Sequence, residues 1–350
     1  DHSLKVSRTD TDNETSASSP DKEITRGVRD SFRYQFNYLG DTNRLSLQIE
    51  HQTEDYEQRG TASFFGDPNQ NLEAKTDSFS SEYRYVGDRF NFSLSGRHDN
   101  NSEFDDANSW RMTGNFKWPR ATLFASVGES IKNPTFTERF GFYTNFIGNP
   151  DLEPEVSLHW EIGARTSLLN EKVDLALTYF DATLENEING FIFDFGTGGF
   201  TSGNVDGESE RKGVEMELRY AQSEKIDLTA TYTYLDATQP EFNGSDVTEV
   251  RRPEHTGSLT MNYRWSQAGL NFAISYTGTQ EDDFFPPFPP YQERVQLKAF
   301  TLASLSGYYN VNQLVTVTAR IENITDEDYE QVYGFTSPGI GGYLGFRLKW

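Results

Sequence analysis

The sequence predicts an all-β protein, an antiparallel transmembrane β-barrel, and three observations support this prediction. The first is strict alternation of apolar and polar residues, as in the segment 342–350, where every second residue from Leu344 to Trp350 is apolar. A period of two is typical of a strand with one apolar face. The second is that short turns alternate with long polar connections along the chain. The third is an aromatic content of 14%, which suits the two interfacial girdles of a membrane barrel.

The alternation predicts about sixteen strands, each about 9 to 11 residues long and therefore able to cross a bilayer at a tilt. In chain order, the alternating segments from which the strands are predicted lie around 4–7, 32–38, 45–49, 79–85, 90–94, 110–118, 123–127, 158–164, 173–179, 214–220, 226–234, 259–265, 270–276, 299–309, 315–321 and 342–350. The tight connections all fall at one end of these strands and the long connections at the other. A membrane barrel sorts its connections in this way, whereas a soluble β-sandwich uses shorter strands at regular spacing.

The two faces of the predicted strands differ in chemistry. Charged residues recur on the polar face, which we place toward the lumen because charges are costly toward lipid. The opposite face carries Trp, Phe, Tyr and Leu on nearly every strand, and a soluble protein would need a second layer to cover it. A solvated sheet face explains the charges equally well, so the prediction of a membrane barrel depends on the apolar face. The polar-face charges are Arg33, Arg84, Arg111, Glu161, Arg165, Glu215, Glu217, Arg219, Arg264, Arg320, Glu322 and Arg347.

Composition excludes several classes of protein. The mean hydropathy is −0.70, and the sequence has no apolar run of about 18 residues, so membrane-spanning helices are excluded. There is no cysteine, and therefore no disulfide framework or thiolate metal site. A net charge of −23 argues against a nucleic-acid partner, because phosphates need a basic surface. That charge has two interpretations, ordinary solubility and acidic loops on a cell exterior.

An ordered loop follows the seventh predicted strand, where prolines fix φ and stop ladder pairing. It resembles the loop that TonB-dependent outer-membrane receptors carry midway through their barrels, with an Asn-Pro-Asx-Leu-x-Pro-Glu signature. The matching residues are Asn149, Pro150, Leu152, Pro154 and Glu155.

Further segments resemble the same family in the same order. Asn204 with the segment 212–217 looks like the family's Gly-hydrophobic-Glu strand, and 251–255 fits the start of the strand after the next loop. These matches extend the resemblance along the second half of the chain.

The end of the chain is similar to the family's penultimate Asn-Leu-x-Asp-x-x-Tyr signature. Asn323, Asp326 and Tyr329 match it, and residues 324–325 depart from it. The terminal aromatic residue is Trp350, where the family usually has Phe. These ordered motifs lie between residues 149 and 350, and the resemblance as a whole spans the chain.

The resemblance implies a receptor in the lipid of a Gram-negative outer membrane that is not an enzyme and holds no cofactor. The implied partners are the TonB complex, reached through a plug, and the barrel-assembly machinery, reached through the C-terminal strand. Barrels of the family have about 22 strands around a plugged lumen. With about sixteen strands, residues 1–350 are therefore expected to be the C-terminal portion of the barrel domain, without the plug domain.

The ligand implied by the resemblance is large and scarce, either cobalamin or a ferric siderophore. The segment 329–335 is most similar to the cobalamin receptor branch. Loop position and aromatic content select the candidate ligand-binding residues, several of them in the rigid, Pro-rich run 284–291. Ordinary loop packing is the alternative for that run, and a strand extension above the membrane is the alternative for 191–195. The candidates are Phe191, Phe193, Arg252, Phe285, Phe288, Tyr291 and Tyr333.

Alternatives to an active receptor are a passive, porin-like channel and an outer-membrane enzyme such as a lipase or protease. The enzyme would need a Ser/His/Asp set at one rim of the barrel, and none is evident. Asp10, Asp12 and Glu14 have a calcium-like spacing, although the rest of an EF-hand loop is missing and a solvated loop is the other interpretation. Sixteen is an even number of strands that could close on itself, and the sequence leaves closure open.

Overall fold

The fold is built almost entirely from β-strands. The computed structural model describes residues 1–16, 22–62, 66–143, 145–194, 196–241 and 245–349. They form 23 strands and one helix of five residues, α1 (Phe136–Phe140). Within this part of the chain, no helix is long and apolar enough to cross a membrane. The strands are β1 (His2–Ser16), β2 (Lys22–Leu39), β3 (Asn43–Arg59), β4 (Gln70–Val86), β5 (Phe90–Asn101), β6 (Ala107–Lys117), β7 (Ala121–Lys132), β8 (Phe142–Tyr143), β9 (Phe146–Ile147), β10 (Glu155–Leu168), β11 (Val173–Glu185), β12 (Ile188–Asp194), β13 (Gly199–Asn204), β14 (Glu208–Ala221), β15 (Ile226–Pro240), β16 (Asp246–Thr248), β17 (His255–Trp265), β18 (Ala268–Thr277), β19 (Gln280–Phe284), β20 (Glu293–Leu297), β21 (Phe300–Asn310), β22 (Val315–Glu322) and β23 (Gly341–Leu348).

Sixteen strands form one continuous antiparallel sheet, which we call the wall; they are β1–β7, β10, β11, β14, β15, β17, β18 and β21–β23. Each wall strand pairs with the next along the chain, so that β7 pairs with β10 and β18 with β21. The short strand β16 joins the same sheet at the end of β15. The prediction of an all-β sheet of about sixteen strands is confirmed. Among the described residues no pairing joins β1 to β23, so the wall is an open sheet.

The wall strands are between 8 and 18 residues long, and most of them are longer than the predicted length of about 9 to 11 residues. The largest difference is at the start of the chain, where β1 and β2 pair continuously from His2–Phe36 to Ser16–Lys22. The sequence predicted a strand at 4–7 and a polar loop beyond it. The extension lacks an apolar face, and for that reason period-two hydropathy did not reveal it.

Charge pairing across β1 and β2 replaces apolar alternation in this extension. Arg8 Nη1 lies 3.2 Å from Asp30 Oδ2, and Arg26 Nε lies 3.4 Å from Asp12 Oδ1. Asp10 also pairs with Arg26, at 3.5 Å. Opposite charges facing each other across a ladder stabilise a strand pair. The calcium-like spacing of these carboxylates is therefore the alternation of a strand.

The register confirms the predicted two-faced pattern. Ile49 pairs with Phe79 on one face, and their side chains are 51% and 50% exposed. Glu50 pairs with Arg33 and Ser78 on the other face, where Arg33 Nη2 donates to Glu50 Oε1 at 2.7 Å. An exposed apolar face suits hydrocarbon, and an ion-paired polar face suits a water-filled lumen.

The connections are sorted by length, as the sequence predicted. Those of at most four residues all lie at one end of the wall, the turn end, and the longer ones lie at the other, the loop end. Aromatic pairs line the turn end: the rings of Tyr83 and Phe92 are 5.8 Å apart, and those of Tyr263 and Trp265 are 5.0 Å apart. Such a girdle is typical of a membrane interface.

Five connections at the loop end carry the candidate site: loop A (133–154), loop B (186–207), loop C (241–254), loop D (278–299) and loop E (323–340). Loops A and B share a second sheet, in which β12 pairs with β13 and β13 with β9. Residues 191–194 lie in β12, so they do not extend a wall strand, and Phe195 is outside the described residues. Loop D forms the β19–β20 hairpin, and most of the Pro-rich aromatic run 284–291 lies between its two strands.

Candidate functional site at the loop end

Aromatic side chains from loops A, B and D pack together in a group that we call the aromatic cluster. The ring of Phe191 stacks on Phe200 at 4.0 Å and meets Phe285 edge to face at 5.4 Å. Offset and edge-to-face pairs each contribute about 0.5–1.5 kcal/mol beyond burial. The members are Phe146, Phe191, Phe193, Phe200, Phe285 and Tyr291.

The turn of the β12–β13 hairpin fixes the part of the cluster that belongs to loop B. Asp194 Oδ1 accepts a hydrogen bond from the Gly196 N–H at 2.8 Å, and its Oδ2 accepts from Thr197 Oγ1 at 2.8 Å. Gly198 closes the turn with a φ of +72°, a conformation that glycine adopts without strain. The bond from Gly196, followed by that from Thr197, holds the pKa of the Asp194 carboxyl below its usual value. The neighbouring Phe193 stacks on Tyr291 at 5.0 Å.

One side of the aromatic cluster is buried and the other is open. Phe146 is 8% exposed, whereas Phe191, Phe285 and Tyr291 are 43%, 36% and 39% exposed. An aromatic surface held in place by its own hairpin can stack on a planar or apolar part of a ligand. Across the described ranges, no group of His, Cys, Asp or Glu side chains is placed to hold a metal ion.

The aromatic cluster brings together four of the predicted ligand-binding residues, namely Phe191, Phe193, Phe285 and Tyr291. The other three lie apart from it. Phe288 is 75% exposed at the tip of loop D. Tyr333 packs its ring on Phe284 at 5.2 Å, and Arg252 Nε donates to Glu249 Oε2 at 3.3 Å. Contact between any of these residues and a ligand stays a prediction.

A buried carboxylate joins loops C, D and E. Asp282 in loop D has no exposed surface. Its Oδ1 accepts from Arg251 Nε at 2.9 Å, and its Oδ2 accepts from the backbone N–H of Tyr333 at 2.7 Å. The Arg251 N–H in turn donates to the carbonyl of Glu281 at 2.7 Å. Because a buried charge is costly without partners, these contacts dock the three loops against one another.

A second ionic group joins loop B to loop C. Arg211 at the loop end of β14 donates to Glu187 of loop B, and its Nε donates to Glu249 Oε1 at 2.7 Å. Glu249 is only 4% exposed and also accepts from Arg252. The predicted ligand residue Arg252 is thus engaged by a carboxylate of its own loop.

The motif in loop A makes structural contacts. Asn149 Oδ1 accepts from the Asp151 N–H at 3.0 Å, which shapes the turn that contains Pro150, and Leu152 is 4% exposed. After Pro154, the side chain of Glu155 accepts from the Ile188 N–H at 2.8 Å. The motif therefore ties loop A to loop B.

Asn204, the first residue of the next motif, completes this tie. Its Oδ1 accepts from the Glu153 N–H at 2.9 Å, and its Nδ2 donates to the Glu153 carbonyl at 3.0 Å. One side-chain amide thus pairs both backbone groups of a residue in loop A.

The last motif shapes loop E. Asn323 has a φ of +47° and Asp326 a φ of +51°, positions that Asn and Asp tolerate better than most residues. Asn323 Oδ1 accepts from the Glu327 N–H at 2.8 Å, and its Nδ2 donates to the Glu327 carbonyl at 2.9 Å. The ring of Tyr329 packs on that of Phe300, the first residue of β21, with 4.6 Å between the ring centres. Trp350 lies outside the described residues.

Loop A is fastened to the wall by glutamine side chains. Gln58 is 1% exposed; its Nε2 donates to the Phe142 carbonyl at 2.5 Å, and its Oε1 accepts from the Phe142 N–H at 3.1 Å. Gln70 Nε2 donates to the Phe140 carbonyl at 2.5 Å. These bonds satisfy backbone groups that no strand partner reaches.

Sequence reasoning missed several of these residues. Phe146 and Phe200 are aromatic residues in polar connections, the same signal that selected Phe191, so a wider search would have found them. Asp282 stands between two other acidic residues, and nothing in the sequence distinguishes it. Gln58 likewise owes its burial to loop A, which is far away in sequence.

Solved structures with a similar fold are receptors and a transporter. The siderophore receptor PirA from Acinetobacter baumannii is 17% identical, with 93% of this chain and 55% of that chain covered and a TM-score of 0.73. The copper transporter OprC is 14% identical, with coverages of 95% and 57% and a TM-score of 0.77. The ferripyoverdine receptor of the outer membrane of Pseudomonas aeruginosa, bound to ferripyoverdine, is 14% identical, with coverages of 99% and 54% and a TM-score of 0.75. The chain thus spans between 54% and 57% of the length of these solved chains.

The family comparison agrees with the motifs. The family described as "TonB dependent receptor-like, beta-barrel" matches residues 2–324, which include every wall strand from β1 to β22. The resemblance predicted from the motifs is confirmed, while its cobalamin branch stays a prediction. The chain belongs to the TonB-dependent receptor β-barrel family.

Proposed function

We propose that this chain supplies the wall and the ligand-capturing loops of an outer-membrane receptor that imports a large, scarce ligand with energy delivered through TonB. The observation that carries the proposal is the aromatic cluster, which is partly exposed, lies at the loop end and is built by three loops. In this arrangement the loop end faces the cell exterior, the apolar face of the wall meets lipid and the polar face lines the lumen.

Among the described residues the wall is an open sheet with β1 and β23 at its two edges. An unpaired sheet edge is not tolerated in the hydrocarbon layer, so β1 and β23 need partner strands in a membrane. In our proposal the further strands of a barrel of about 22 strands pair these edges, and a plug in the lumen contacts TonB. The barrel-assembly machinery recognises the C-terminal strand β23.

The proposed ligand is a ferric siderophore or cobalamin. The names of the siderophore receptor PirA and the ferripyoverdine receptor support the first, and the likeness of 329–335 to the cobalamin branch supports the second. Both ligands are large and present apolar surface on which exposed rings can pack. Phe191, Phe193, Phe285, Phe288 and Tyr291 are the proposed aromatic contacts, and Arg252 and Tyr333 are proposed contacts outside the cluster.

The test combines Phe191→Ala with Tyr291→Ala in the full-length receptor and measures uptake of labelled ferric siderophores and cobalamin by cells. We expect the double variant to lower the apparent affinity by about tenfold or more, as loss of an aromatic anchor does. Trp118→Ala is the control, because Trp118 is an aromatic residue, 62% exposed, that lies at the turn end and away from the loops. Uptake that persists in cells without TonB would contradict the proposal and favour a passive channel.

A further inference from the structure

The loops around the aromatic cluster carry an excess of acidic residues. Loop B has three Asp or Glu and no Lys or Arg, loops C and D each have four against two, and loop E has four against none. The short connections of the turn end carry four acidic and four basic residues in all. The excess therefore belongs to the loop end and is not spread over the whole chain.

The few basic residues of these loops are mostly engaged by carboxylates. Arg251 pairs with Asp282 at 2.9 Å, Arg252 with Glu249 at 3.3 Å and Arg294 with Asp283 at 3.2 Å. Lys298 is the remaining basic residue of loops B to E, and it has no carboxylate within 4.0 Å in the part of the chain that the structure describes. The positive charge of each of these arginines is thus offset by a neighbouring carboxylate.

Several carboxylates of these loops are, by contrast, available. Glu293 and Asp328 are exposed, and neither side-chain carboxylate has a hydrogen bond or ion pair with another described residue. Glu293 lies directly opposite Phe284 in the β19–β20 hairpin, beside the aromatic run of loop D. Asp194 adjoins Phe193 in sequence, and the hydrogen bonds from Gly196 and Thr197 hold the pKa of its carboxyl below the usual value.

We propose that the aromatic cluster and its acidic surroundings receive a cationic ligand with an aromatic or apolar face. This inference rests on the proposed function and assigns the charge class of the ligand that these loops capture. The exposed rings supply stacking and cation–π attraction. The surplus of carboxylates attracts a cation from a distance and repels an anion.

The test uses two xanthene dyes of similar size and opposite charge, cationic tetramethylrhodamine ethyl ester and anionic fluorescein. Their binding to the full-length receptor in zwitterionic nanodiscs is measured by fluorescence anisotropy, with empty nanodiscs subtracted. We expect the rhodamine to bind at least about tenfold more tightly than fluorescein, and added salt to weaken its binding because the attraction is screened. Phe191→Ala with Tyr291→Ala should weaken its binding further, which locates the dye on the rings.

The charge contribution is tested with matched pairs of substitutions. Glu293→Gln with Asp328→Asn should weaken rhodamine binding about two- to fivefold, because two negative charges of the loop end are removed. Asp41→Asn with Glu224→Gln changes the net charge equally at the turn end and should have no effect. The inference would be overturned if fluorescein bound as tightly as the rhodamine. It would also be overturned if the affinity for the rhodamine changed neither with salt nor in the loop variants.

The failure of this inference and that of the proposed function are distinguishable. Dye binding needs neither TonB nor transport, so a receptor that prefers fluorescein but still imports its ligand contradicts only the charge class. A receptor that prefers the rhodamine but shows TonB-independent uptake contradicts only the transport mechanism.

Discussion

The backbone N–H and C=O groups of the wall and of the loop end find their hydrogen-bond partners in different ways. In the wall, backbone pairs with backbone, as in β14 and β15, which run from Glu210–Thr238 to Ala221–Asp227 without a register shift. At the loop end, single buried side chains hold backbone groups of distant segments, as Gln58 holds Phe142 and Asp282 holds Tyr333. The wall should therefore accept any side chain that suits its face, whereas the loop end depends on individual polar atoms.

The largest effect we expect comes from a charge on the wrong face of the wall. Leu177 is 50% exposed on the apolar face of β11, and Leu177→Lys should lower the free energy of unfolding in a bilayer by about 2–4 kcal/mol, because the ammonium group faces hydrocarbon. Urea unfolding of the full-length receptor in phospholipid vesicles measures this.

The neighbouring residue provides the control for that substitution. Thr178 points to the polar face opposite Glu215, so Thr178→Lys should change the stability by no more than about 0.5 kcal/mol. Equal destabilisation by the two lysines would show that the two faces of the wall are not distinct, and that the wall does not select side chains by face.

A smaller and more local effect is expected at the loop end. Asp282→Asn removes the charge that pairs with Arg251 and weakens the bond to the Tyr333 N–H, with a cost of about 1–3 kcal/mol in the docking of loop E. Hydrogen exchange at the Tyr333 amide should accelerate while exchange in the wall strands stays unchanged. Asp283→Asn is the control, because among the described residues the Asp283 carboxylate forms an ion pair only with Arg294, which is partly exposed. A uniform acceleration in both regions would instead mean that the loops and the wall unfold as one unit.

The same contrast explains which parts of the protein can be predicted from sequence. Ile49 and Phe79 alternate with polar neighbours in the sequence. The face of the wall on which each lies could therefore be predicted from the local pattern. Even there, the extension of β1 was missed because Arg8 and Asp30 replace apolar residues. At the loop end, Gln58 meets Phe142 across 84 positions of sequence, and no local pattern reports such a contact. Phe191 and Tyr291 were predicted as ligand residues because both are aromatic, but their meeting in one cluster depends on how the loops fold.

The smallest effect we expect is a change with pH in the turn that carries Phe193. The Asp194 pKa is lowered in the folded protein by hydrogen bonds from Gly196 and Thr197, so its contribution to the turn is fully present above the unfolded-state pKa of about 4. It is lost as the pH falls through the lowered folded-state value, because the protonated carboxyl accepts these bonds less well. Exchange at the Gly196 amide, corrected for its intrinsic pH dependence, should therefore rise in acid and stay level near neutral pH. In Asp194→Asn the side chain cannot titrate, so the acid-dependent rise should disappear; if it persists, another group controls the turn and the aromatic cluster is not held by this carboxylate.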